Sequence, residues 1–343
     1  MDSRRSLRSV FFSAFWWLPL FFLSYASVAP AIGLGLFIIV YHVILRLPHF
    51  LATYPITYGQ RSNWARYRKE WIRFLLIPAL ILGVYFEFGD YRGTHGIGIA
   101  LTLLAPLWGL QHIAFQNFGL MQIYHAKAGQ QHPVARRWEW WTYFFVFAAS
   151  AVVVGFRRIP NGTLQGTLNG SEKSSWLFSL APCLFISGLV ALYFFRERRR
   201  LSWPSSLFFL SSVFGMLYWP LYDRLPWPAN TLVYFYAFDG QHCLSYLGLV
   251  SLIEGRSVSR LSVTRTLLFV GALIAVSALA VGALYFFQPG QFVHEMAGEK
   301  YRAFAAFEGF YVIHYYLESF IWKRKDESAR SNLFPHLGVS FAK

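Results

Sequence analysis

Apolar residues in this chain gather in runs of roughly twenty, and most of the stretches between them are short and rich in Lys and Arg. Runs of that length are what helices crossing a ~30 Å hydrocarbon core require. Ten can be traced, at 10–23, 31–45, 74–88, 96–125, 138–156, 176–195, 205–222, 230–253, 267–287 and 303–322. The fourth would be ~45 Å long at 1.5 Å per residue, so it must tilt or project. Pro48 and Pro55 bracket what reads as a short interfacial piece after the second run. The pattern predicts an all-α fold: a polytopic membrane helix bundle of about ten transmembrane helices with both termini cytoplasmic. It is one integral membrane domain over residues 1–343, with a short basic cytoplasmic tail at 323–343.

Composition agrees with the pattern. Of 343 residues, 56% are hydrophobic and only 14% charged, against about 25% charged in a typical soluble domain. The net charge is +15, which in a soluble protein would suggest nucleic acid as a partner. Here no soluble module exists to present a basic face, so nucleic acid is excluded and membrane lipids are the expected partner. With a cytoplasmic N-terminus, all of the 31 Lys and Arg except Arg92, Arg157, Arg158, Lys173, Arg224, Lys300 and Arg302 fall on the cytoplasmic side. That is the bias of the positive-inside rule, as expected of a multi-pass protein of an inner (cytoplasmic) membrane. Arg4, Arg5 and Arg8 before an apolar run imitate a signal peptide, but Pro30 directly after Ser27-Val28-Ala29 argues for a retained first span. Cys183 and Cys243 lie inside apolar runs without a CxxC partner, so they read as small buried residues.

Ionisable residues inside membrane spans are costly and face a bundle interior. In the last run His314 and Glu318 stand four apart, on one helical face, with Glu308 upstream. On the predicted topology six of the ten histidines collect toward the cytoplasmic side: His42 and His49, His112 and His125, His242, and His314. His112 is four residues from Gln116. Asp239, His242 and Tyr246 share a face. His49 and Thr53 align if their segment is helical. Imidazoles from several helices are the donor set for iron, zinc or copper, with carboxylates as ligands or orienting groups. The expected ligands are therefore His42, His112, His242 and His314, followed by His49 and His125, with Asp239 and Glu318 as ligands, orienting groups or proton carriers. Non-haem iron is the expected metal, ahead of zinc. A bis-histidine haem on His112 and His125 fits poorly, because a thirteen-residue step puts them roughly 140° apart.

Leu47-Pro48-His49-Phe50, Ala52-Thr53-Tyr54, Gln111-His112 with Gln116-Asn117, and the run from His314 to Lys323 resemble motifs of a poorly characterised group of histidine-containing polytopic bacterial membrane proteins. The general layout is similar to membrane iron hydroxylases and desaturases, whose histidines also gather near the cytosolic face. The HxxxH and HxxHH boxes of those families do not occur here. The resemblance in layout implies an iron oxidoreductase acting on a lipidic or hydrophobic substrate. With neither a dinucleotide fingerprint nor a Walker motif, its reducing equivalents would come from an external electron donor. The competing expectations are a transporter or proton-coupled carrier, using the same His, Asp and Glu residues as a relay, and a membrane assembly or scaffold protein.

Overall fold

A computed structural model describes residues 20–21, 23–24, 34–59, 64–88, 96–128, 133–158, 172–197, 203–221, 231–257, 260–287, 302–322 and 335–337. These residues are helical almost throughout. Helix α1 (Leu34–Tyr41) passes through a π turn (His42–Arg46) into α2 (Leu47–Tyr54), which runs into a second π turn (Pro55–Gly59). After the short α3 (Trp64–Lys69), a third π turn (Ile72–Leu76) leads into α4 (Ile77–Phe88). There follow α5 (Gly96–Ala128), α6 (Pro133–Arg158), α7 (Glu172–Glu197), α8 (Trp203–Leu221), α9 (Thr231–Gly255), α10 (Val263–Phe287) and α11 (Arg302–Ile321). Between α9 and α10 two-residue strands, β1 (Arg256–Ser257) and β2 (Arg260–Leu261), pair antiparallel. Helices thus cover the described residues of the second to tenth predicted runs. The first run lies outside the described residues except for a helical fragment at Leu20, Phe21 and Leu23, and so do His95, His132 and His294.

Prolines explain the π turns. Each of the three turns lies beside one: Pro48, Pro55 or Pro78. A proline inside a helix has no N–H to give the carbonyl four residues back, and its ring crowds that carbonyl. The wider i→i−5 turn relieves the clash, as in the bonds from Leu47 N–H to the His42 carbonyl and from Ile77 N–H to the Ile72 carbonyl. The Phe74 carbonyl, which Pro78 cannot serve, accepts the Tyr58 hydroxyl at 2.7 Å. The segment between Pro48 and Pro55, expected as a short interfacial piece, is helical and continuous with its neighbours.

Among the described residues one helix is long and apolar enough to cross a membrane, with the qualifying stretch at Val263–Ala283 in α10 and a mean hydropathy of 2.3. The runs that carry the expected site are diluted by their own polar residues, such as Glu308, His314 and Glu318 in α11.

Contacts divide the chain into two units, Leu23–Trp108 with Cys243–Lys343, and Asp2–Phe22 with Gly109–His242. In the first, α11 packs along α4, and α2 is packed by both α10 and α11. Gly309 permits the close approach of α11 to α4: a Cβ there would meet the Tyr85 Cβ at 3.0 Å. Tyr67, Phe74, Ile313 and Leu317 form a buried core, with Arg66 and Arg73 held by Glu70 nearby in sequence. In the second unit α6, α7 and α8 pack on one another. There the Tyr143 and Ser212 hydroxyls meet at 2.6 Å, and the Phe209 ring touches both Tyr143 and Tyr193.

Candidate metal centre

Helix α2 places His49 and Thr53 one turn apart, so both face inward, and both are fully buried. Helix α11 places His314 and Glu318 in the same relation, and α9 contributes Tyr246. The Thr53 hydroxyl is the meeting point. Its Oγ1 lies 2.6 Å from His314 Nδ1, 2.9 Å from the Tyr246 hydroxyl and 2.9 Å from Glu318 Oε1, to which it donates. His314 Nδ1 and Glu318 Oε1 are 3.7 Å apart, too far for a direct hydrogen bond. The His49 ring sits edge-on to His314 with centroids 4.6 Å apart, and to Tyr246 at 4.7 Å. Phe50 stands against His314 at 4.8 Å and stacks on Tyr311 at 4.1 Å. The imidazoles therefore lie among aromatic rings that exclude water.

One ring nitrogen from each of His49, His112 and His314 lies within 4.8 Å of the others, and all three residues are buried. Three nitrogens each ~2.0–2.1 Å from a shared ion must lie within about 4.2 Å of one another, so small side-chain adjustments bring these onto one ion. Three buried histidines this close together could hold a metal ion, and the identity of the metal is not fixed by them.

The other expected residues are distributed unevenly. His242 is a neighbour of His112, ring centroids 5.3 Å apart at near right angles, and Asp239 is buried one turn before it on α9. His42 does not join the group. On an unbroken α-helix the step from His42 to His49 returns to nearly the same face, but the intervening π turn absorbs about one residue and swings the phase by roughly 100°. His42 is instead only half-buried, and its Nε2 accepts from Arg46 Nη1 at 3.1 Å, which occupies the lone pair a metal would need. Arg46 in turn lies over the Tyr311 ring.

His125 belongs to a separate cluster in the second unit. Its Nε2 lies 2.7 Å from Glu139 Oε1. The same carboxylate accepts Gln122 Nε2 at 2.6 Å and the Tyr193 hydroxyl at 2.5 Å. Glu139 is fully buried, and three donors compensate its charge. Sequence reasoning passed over Glu139 and Tyr193. The signal was present in Glu139 itself, a carboxylate at the start of an apolar run that needs a partner to be buried.

Outside the predicted spans, burial and the neighbouring Tyr316 push the Tyr58 phenol up to about 12, and burial raises Tyr54 as well. Tyr58 therefore keeps the proton it donates to the Phe74 carbonyl throughout the physiological range.

Among known proteins, no family model, curated protein or solved structure matches this chain.

Proposed function

We propose that the chain is a membrane-embedded, non-haem iron oxidoreductase in which His49, His112 and His314 hold the metal, with His242 beside them, and which acts on a hydrophobic or lipidic substrate. The observation that carries this reading is the approach of three buried imidazole nitrogens to within 4.8 Å. Imidazole suits iron, zinc and copper alike. Iron is favoured here because zinc in open sites works mainly by activating water, and the aromatic wall of Phe50, Tyr246 and Tyr315 excludes water from His314. Bound iron would supply dioxygen activation. The protein's residues would orient the imidazoles, keep the pocket dry and, through Glu318 and Asp239, manage protons. Reducing equivalents would come from an external donor.

The polytopic arrangement of about ten spans in the cytoplasmic membrane is part of the same proposal. It is supported by the loop charge distribution and by the apolar side chains that α10 leaves uncovered, including Leu267, Leu268 and Leu279, the last 73% exposed. Uncovered apolar faces of this extent suit lipid.

Metal analysis of the detergent-purified full-length protein tests the function. Iron bound by the wild type and lost from His49→Ala and His314→Ala is the expected result. Metal at background level in all three contradicts it. One observation favours a second reading, a proton-coupled carrier: the continuous hydrogen-bonded chain Tyr246–Thr53–Glu318. Proton flux into proteoliposomes that is abolished by Glu318→Gln would select that reading.

A further inference from the structure

Between Trp64 and Leu76, in α3 and the π turn after it, the chain carries four cations and one carboxylate, Glu70. Glu70 holds Arg66 and Arg73, and each of these also lies over a ring, Phe74 at 5.2 Å and Phe320 at 4.8 Å. Arg68 and Lys69 are left over. Both are exposed, and no carboxylate among the described residues pairs with either. The bond from Glu70 N–H to the Arg66 carbonyl at 2.8 Å carries the helix across from α3 into the π turn. Trp71, Ile72 and Leu75 therefore follow Arg68 at steps of three, four and seven, on its face. Trp71, Ile72, Leu75 and, further along α4, Leu80 are each half exposed or more. The outward face of this segment thus begins with two unspent positive charges and continues as uncovered apolar surface.

We propose that this face binds an anionic phospholipid, with the headgroup phosphate on Arg68 and Lys69 and an acyl chain along Trp71, Ile72, Leu75 and Leu80. Guanidinium and ammonium groups both bind phosphate strongly. A zwitterionic headgroup brings the same phosphate with a cation that repels both side chains, so the site selects a net negative lipid. An exposed Trp between the charges and the aliphatic residues stands where headgroup and hydrocarbon meet. On the expected topology Arg68 and Lys69 lie on the cytoplasmic side, where anionic lipids attract basic segments next to a span. A soluble acidic partner would satisfy the cations and leave the apolar stripe that runs into α4 uncovered. The inner side of the same segment is buried: Tyr67 and Phe74 pack with Ile313 and Leu317 of α11, the helix that carries His314. A lipid held on the outer side therefore braces the packing of α11.

The inference rests on the membrane reading and not on the metal. Native mass spectrometry of the full-length protein in a neutral detergent tests it, by titration with phosphatidylglycerol or with phosphatidylcholine of the same chains. The first phosphatidylglycerol should bind the wild type about 25-fold more tightly than the first phosphatidylcholine, about fivefold for each cation. The double variant Arg68→Gln with Lys69→Gln should lose that preference, and Arg68→Lys with Lys69→Arg should keep it. Arg136→Gln with Arg137→Gln removes the same charge from exposed positions at the start of α6 and should leave the preference intact. Trp71→Ala should weaken both lipids alike. Phosphatidylglycerol should also raise the Tm of the wild type and not that of the Arg68→Gln, Lys69→Gln variant. Equal binding of the two lipids by the wild type overturns the inference and leaves the cations to a soluble acidic partner. Equal loss of preference from the two double glutamine variants overturns it too, since overall charge would then be the cause. A wild type that stays in solution without detergent and binds neither lipid removes the membrane reading itself, so the two failures are distinguishable.

Discussion

The two units each bury a histidine with a glutamate, and they use the pair differently. In the second unit His125 and Glu139 come from different helices and meet directly at 2.7 Å, with Gln122 and Tyr193 completing the carboxylate's shell. Every bond in that cluster ties α5, α6 or α7 to another, which is the work of a helix clamp. In the first unit His314 and Glu318 come from one helix, do not touch, and are joined through Thr53 and accompanied by His49 and Tyr246. Residue type therefore does not separate structural from chemical use. What separates them is whether the ring's neighbours saturate a carboxylate or bring further imidazoles.

Substitutions can break this distinction. The largest effect is expected from Glu139→Ala. It strands two buried donors, on His125 and Tyr193, and a part-buried one on Gln122, and should cost about 3–5 kcal/mol of stability, measured by unfolding in detergent, while the metal content of the folded fraction stays at the wild-type level. His314→Ala should behave oppositely. It should weaken metal binding by at least about 100-fold, since a ligand is lost outright and removing even an outer partner costs 10–100-fold. Chelator competition measures this, and unfolding shows whether the fold survives. If Glu139→Ala instead released the metal from a folded protein, the clamp and the centre would be one system.

Much of the fold was legible in advance, because runs of about twenty apolar residues leave few alternatives to helices. The site was legible in part. His314 was readable as inward-facing by its spacing to Glu318, His49 by its spacing to Thr53 once its segment is helical, and His112 by its spacing to Gln116. His42 was not readable. Its displacement depends on a π turn caused by Pro48, which changes helix phase without altering sequence spacing. The role of Thr53 was also hidden, since hydroxyl bonds between residues 261 and 265 positions apart follow from tertiary packing alone. Glu139 was overlooked because its partners His125 and Tyr193 come from other helices, where no local periodicity links them.

Smaller effects sharpen the contrast. Tyr193→Phe removes one of the three donors to Glu139 and should cost about 1–2 kcal/mol, again with metal binding unchanged. His42→Ala should be nearly silent, within about 0.5 kcal/mol in stability and about twofold in metal affinity, because its Nε2 faces Arg46. A large loss of metal in His42→Ala would mean that the helix phase after the π turn differs from that described.

The most direct test of the central claim is X-ray absorption at the iron edge on iron-loaded, full-length protein. The account predicts a first shell dominated by nitrogen, with the outer-shell scattering of about three imidazoles, diminished in His49→Ala and in His314→Ala. An oxygen-only shell, or a spectrum unchanged by both substitutions, would contradict it.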